Sequence, residues 1–94
     1  MTYKADKIVV SNLEPVHDSA KSFYRKAQVI HDYESGIIKL KSYETLVCMI
    51  DNFNKFYKLW NGYSATTMRH INEFIRQYGI SGGGKKWWES LPTR

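Results

Sequence analysis

One segment of this chain has a helical period and punctuation at both ends. Met68, Ile71, Ile75 and Tyr78 fall at i, i+3, i+7 and i+10, and Phe74 widens the stripe. Asn61-Gly62 breaks the chain ahead of it, Ser64 is a good N-cap, and Gly79 stands where a C′ glycine ends a helix. The spacing predicts a helix over residues 65–78 with one apolar face. A lone amphipathic helix cannot bury that face by itself, so the rest of the chain must supply a layer to cover it.

The residues before it read mostly in the two-residue period of strands. Lys7-Ile-Val-Val-Ser11 is a short β-branched run, and Asn12 to Ser19 reads as a loop in which Pro15 biases Glu14 away from helix. Residues 20–33 are ambiguous. Ala20, Phe23, Tyr24, Ala27, Ile30 and Tyr33 fit a helical stripe with Asp18 or Ser19 as cap, yet Tyr24 to His31 also reads as a strand. Tyr33-Glu-Ser-Gly36 looks like a turn into Ile37-Ile-Lys-Leu40, which favours the strand. Residues 37–50 are the clearest β segment. Leu46, Cys48 and Ile50 are expected on one face and Thr45, Val47 and Met49 on the other, as in a central strand covered on both sides. Asp51-Asn-Phe-Asn54 is a turn, and Lys55 to Trp60 returns as a hairpin partner. Beyond the helix, Ser81-Gly-Gly-Gly84 reads as a flexible link, and Lys85 to Leu91 as one helical turn stopped by Pro92. The expected fold is a small α+β domain: a mainly antiparallel sheet, one long helix (65–78) packed on it, and a short C-terminal aromatic tail. Residues 1–63 are mostly β, 64–79 helix, and 80–94 a Gly linker with a Lys/Trp tail.

Ninety-four residues with 43% hydrophobic and 24% charged side chains suit one soluble globular domain and are too apolar for a disordered chain. No apolar run is long enough to span a bilayer, and the first residues lack an apolar h-region. Cys48 is the single cysteine, which excludes an internal disulfide framework and fits a reducing compartment. The expectation is a cytoplasmic protein with no membrane partner.

The charge is uneven. Residues 1–35 hold five cations and five anions, whereas residues 36–94 hold nine and four, so the whole net charge of +5 lies in the second part. Lys39, Lys41, Lys55, Lys58, Arg69, Arg76, Lys85, Lys86 and Arg94 carry it. Such a balance favours polyanions or an acidic protein surface, and it also serves plain solubility.

Few constellations carry chemistry. Gly79 to Lys85 has the spacing of G-x-x-x-x-G-K, but Lys86 stands where Ser or Thr must hold magnesium, and a helix rather than a strand precedes it. Cys48 sits in an apolar strand with no base nearby in sequence, so it reads as a structural thiol. His17, His31 and His70 share no metal-ligand spacing. Thr66, His70, Glu73 and Gln77 run along one polar flank of the helix. There His70 and Glu73 form an acid–base pair in principle, or a hydrogen-bonded helix surface. Ser64, Thr66 and Thr67 at the helix start either cap it or bind an anion on its free N–H groups.

The segment most suited to a partner is Lys85-Lys-Trp-Trp88. Adjacent Lys and Trp neutralise phosphates and stack on bases, or anchor a protein interface. Trp87 and Trp88 lie about 100° apart on a helical turn, so both cannot face one core. If one folds back as a lid, the other remains to be explained. Arg69 and Arg76 share a helix face and extend the patch, and Lys39, Lys41 and Lys58 add a basic hairpin.

Ser42-Tyr43, Leu59-Trp-Asn-Gly-Tyr-Ser-Ala-Thr-Thr-Met-Arg-His-Ile-Asn-Glu-Phe-Ile-Arg-Gln-Tyr-Gly79 and Gly83-Gly-Lys-Lys-Trp-Trp88 resemble a family of small bacterial proteins of phages and other mobile elements, a domain of unknown function. Leu13-Glu-Pro-Val-His-Asp-Ser19 and Lys21-Ser-Phe-Tyr-Arg-Lys-Ala27 resemble its longer members. The resemblance covers most of the chain and favours a strand over residues 23–32. It brings no catalytic residues. It implies an accessory protein in a mobile element's conflict with its host. Several such proteins inhibit host defence systems, CRISPR effectors among them. The expectation is a non-enzymatic protein with no cofactor or metal. It binds a host protein or protein–nucleic-acid effector through Lys39, Lys41, Lys58, Arg69, Arg76, Lys85, Lys86, Trp87 and Trp88. The alternative is a basic module that binds nucleic acid directly.

Overall fold

The computed structural model describes residues 7–16, 23 and 26–94. Five strands form one antiparallel sheet: β1 (Ile8–Asn12), β2 (Ala27–Asp32), β3 (Ile37–Ser42), β4 (Thr45–Ile50) and β5 (Phe56–Lys58). Their order in the sheet is their order in the chain, so every connection is a neighbour-to-neighbour return. Helix α1 (Ala65–Gln77) and the short helix α2 (Lys85–Ser90) follow. The α+β expectation holds, with a helix of 13 residues.

The ambiguous segment resolves as strand β2, from Ala27. The alternative caps Asp18 and Ser19, with Ala20 and Tyr24, lie outside the described residues. Alternation along β2 and β3 turns Ala27, Val29, Leu40 and Ser42 inward, and these side chains are buried. Met68, Ile71, Phe74 and Ile75 of α1 complete the core from the same side, with Phe23, Leu13 and Trp88. The helical stripe read from the sequence is therefore the face that meets the sheet.

Strand β4 departs from simple alternation. Leu40 lies opposite Cys48 but Lys41 lies opposite Leu46, so Val47 is an extra residue in a β-bulge. The bulge turns Val47 and Cys48 both into the core and leaves Leu46 exposed. Leu46 therefore does not share a buried face with Cys48 and Ile50. Nor is β4 a central strand covered on two sides. It is next to the sheet edge, the core gathers on one face, and Met49 on the other is only half-buried. Strand β5 is also shorter than expected, ending at Lys58.

Both ends of α1 are closed by their expected residues. Ser64 Oγ accepts from Thr67 N at 3.0 Å. At the other end Ile80 N donates to Ile75 O (2.8 Å) and Gly79 N to Arg76 O (3.4 Å), the paired bonds of a Schellman motif.

The glycine linker is docked rather than loose. Gly84 N donates to Asn72 Oδ1 of α1 at 3.1 Å. Gly82 has φ +139°, and a Cβ there would lie 2.2 Å from the Trp87 ring. The linker can take this path only without a side chain. It delivers α2 onto the sheet end, where Trp88 enters the core.

Candidate binding surfaces

The aromatic tail becomes a lid. Trp88 is 1% exposed, and its Nε1 donates to Gly62 O at 2.8 Å. Gly62 in turn lies flat against the Trp60 indole, so close that a Cβ would fall 2.4 Å from the ring. The Trp-Asn-Gly-Tyr-Ser segment is thus a packing device: Trp60 covers the core, Gly62 seats Trp88, and Ser64 caps α1. Trp87 stays half-buried against Phe56, with ring centroids 5.3 Å apart.

Lys58 goes inside with Trp88. It alternates with Tyr57, shares the inward face with Phe56, and is only 5% exposed. Its Nζ donates to Trp88 O (2.9 Å) and Leu91 O (3.3 Å), carbonyls at the end of α2. It also sits 4.9 Å over the Trp88 ring. A cation at a helix C-terminus satisfies orphan carbonyls and the negative end of the dipole. Lys58 and Trp88, expected on a binding surface, are instead committed to each other in the interior.

The polar flank of α1 is also buried. His70 and Glu73 have essentially no exposed surface. His70 Nδ1 and Ser42 Oγ are 2.8 Å apart, and Ser42 Oγ lies 3.1 Å from Thr67 Oγ1. Gln77 Nε2 donates to Glu73 Oε2 and to Glu14 O, each at 2.7 Å. Phe23 presents an edge to His70 at 4.8 Å. This seam ties α1 to β3 and to the chain after β1. Sequence alone showed one polar helix flank but not the loop that covers it. Two clefts lie elsewhere, one of about 240 Å³ beside β5 and the C-terminal residues, one of about 380 Å³ beside Asn61, Tyr63 and Glu89. Neither is lined by His70 or Glu73, so the pair has no opening to a substrate through them.

The helix start is likewise occupied. Ser64 spends its hydroxyl on the cap, and Thr67 is buried against Ser42. Of the three candidates, Thr66 alone is partly exposed with no such bond among the described residues.

The remaining cations fall on two opposite faces. Leu40 and Ser42 point towards α1, so Lys39 and Lys41 point away from it. Lys41 pairs with Glu44 at 3.6 Å. In the same layer, across the strands, lie Val10, Ile30, Met49 and Tyr57. Arg69, Arg76, Lys85 and Lys86 are exposed on the helix layer. Gly84 meets α1 at Asn72, between the two arginines, so the lysines start beside that flank. Lys85 Nζ lies 5.1 Å from the Tyr63 ring. The single basic patch expected from sequence is thus two patches, separated by the thickness of the sheet.

Burial pushes the Cys48 thiol well above its usual range, as befits a structural thiol. Among the described residues no group of three or more His, Cys, Asp or Glu side chains is placed to hold a metal ion. None of their helices is long and apolar enough to cross a membrane. Residues 11–90 match the Family of unknown function (DUF8033). No curated protein matches the chain, and no solved structure does.

Proposed function

This chain belongs to the Family of unknown function (DUF8033), and we propose that it is a non-catalytic docking protein of a phage or other mobile element. On this reading it works in the host cytoplasm. It blocks a nucleic-acid-targeting defence effector, of which the CRISPR effectors are the leading example, by steric occlusion. The observation that carries the reading is the helix-layer strip of Arg69, Arg76, Lys85 and Lys86. Docking of the Gly linker on Asn72 fixes the backbone that carries Lys85 and Lys86 beside α1. The burial of His70 and Glu73 favours a binding role over an acid–base role, since a general base must reach the proton it abstracts. The basic charge also argues against mimicry of DNA, which needs an acidic surface.

A second reading, a basic module that binds nucleic acid directly, is favoured by the exposed lysines themselves, since cations on either face neutralise phosphates without a shaped protein pocket. The test is capture with the tagged chain from host lysate, with and without nuclease. Retention of one effector after nuclease treatment supports occlusion. Recovery that is mostly nucleic acid, and that disappears with nuclease, replaces it with the second reading.

A further inference from the structure

The two edges of the sheet are treated differently. The β5 edge is three residues long, contains Lys58, and is bridged by Thr93, with Arg94 N donating to Lys58 O at 2.8 Å. Short length, lysine and a covering segment are the usual protections of an edge. Among the described residues the β1 edge has none of them. Its five residues, Ile8-Val-Val-Ser-Asn12, are uncharged and all exposed. Among the described residues no segment pairs with its outer side. Ile8, Val9 and Val10 are 44%, 46% and 55% exposed, which places apolar surface on both faces of the strand.

The backbone pattern selects what fits there. Tyr33 N donates to Lys7 O and Leu13 N to Ala27 O, so the odd residues of β1 bond to β2. Alternation of an antiparallel ladder then turns the N–H and C=O of Ile8, Val10 and Asn12 outward. We propose that a second copy of this chain pairs with this edge, antiparallel β1 to β1, about a two-fold axis at Val10. That register sets Ile8 opposite Asn12, Val9 opposite Ser11 and Val10 opposite Val10. It matches outward-facing groups to outward-facing groups and keeps both helix layers on the same side of a ten-stranded sheet. Each copy carries +5, so two copies repel overall, and pairing through this uncharged strand adds no charge directly opposite another. A five-residue pairing buries less than the ~1,200 Å² of a standard stable interface, so the dimer is weak and concentration-dependent.

Sedimentation of the full chain from micromolar to near-millimolar concentration tests this. The wild type shifts from monomer to dimer over that range. Val10→Lys, which sets lysine opposite lysine on an already exposed position, stays monomeric with an unchanged circular-dichroism spectrum. Phe53→Ser, at the 84% exposed tip of the β4–β5 turn, leaves the shift intact. Amide exchange of the wild type reads the register directly. The amides of Ile8, Val10 and Asn12 slow as concentration rises, while those of Val9 and Ser11 do not change. A wild type that stays monomeric overturns the proposal. So does a dimer that survives Val10→Lys, one that Phe53→Ser abolishes, or an exchange pattern without the even-residue signature. If Val10→Lys fails to fold, that exchange pattern alone decides.

Discussion

Truncating Trp88 separates a docked tail from a free one. Its indole is 1% exposed, meets the Phe56 and Trp87 rings, and donates one hydrogen bond to Gly62 O. Removing a buried aromatic from a core costs about 3–5 kcal/mol in transfer energy and residual cavity. The Gly62 carbonyl loses its donor, and Lys58 loses the ring beneath it, which adds ~1–2 kcal/mol. A domain of this length has a total stability of about 5–14 kcal/mol. Trp88→Ala therefore removes a large part of it and leaves the chain marginal. Urea unfolding followed by circular dichroism at the helix band gives the difference without relying on tryptophan emission. Trp87→Ala, on a half-buried side chain, costs clearly less. A free tail gives changes within about 0.5 kcal/mol for both. A Trp88→Ala destabilisation below about 1 kcal/mol, close to the scale of a surface change, would refute the docked helix and the interior assignment of Lys58 with it.

Lys58→Met removes one donor from each of the Trp88 and Leu91 carbonyls at the end of α2 and lowers stability by about 2 kcal/mol in the same assay. It should leave the salt dependence of any polyanion binding unchanged, because Lys58 is interior. Gly62→Ala forces a Cβ onto the Trp60 ring and costs ~1–3 kcal/mol, read as a lower melting temperature. Backbone N–H donors of Glu34 and Lys55 hold the Asp32 and Asp51 carboxyls below the usual carboxylate range. A carboxylate so lowered contributes stability above its unfolded value of 3.8, and that contribution fades as pH falls through the folded value below it. Carboxyl carbon shifts followed by NMR in acid should show both midpoints under 3.8. Asp51→Asn should flatten the acid end of the stability curve.

The parts of the fold legible in the sequence were those set by local rules. Ser64, the stripe of Met68, Ile71 and Ile75, and Gly79 define α1 because capping and period act within a few residues. The Val47 bulge was not legible, since one inserted residue leaves composition unchanged and shows only in the pairing of two strands. The β3–β4 turn was hidden for a similar reason. Its residues are Tyr43 and Glu44, and Tyr43 takes φ +54° with no glycine or asparagine to announce it. For the candidate surfaces, sequence named the exposed cations Arg69, Arg76, Lys85 and Lys86, but it could not tell them from Lys58. Alternation made Lys58 a core position in principle. The signal against a surface role was its place between Phe56 and Trp60 on one strand face, and only the docking of α2 supplies the carbonyls that make its burial tolerable.

The division of the cations into two faces makes a polyanion choose between them. Each phosphate that a substitution leaves without its cation lowers the salt slope of binding by about 0.7–0.9. Lys85→Gln with Lys86→Gln removes two exposed charges of the helix strip, and Lys39→Gln with Lys41→Gln removes two from the open sheet face. If nucleic acid lies on the helix layer, the first pair flattens the slope by ~1.5 and the second leaves it nearly unchanged. If it lies on the sheet, the ranking reverses. Lys41 already shares its charge with Glu44, so the sheet pair neutralises less than two full phosphates even then. The helix strip is thus expected to dominate, and titrations of a labelled oligonucleotide at several salt concentrations measure it. Equal effects from both pairs would mean binding without a preferred face. In that case the helix strip plays no special part in recognition, and the charge acts only through long-range attraction.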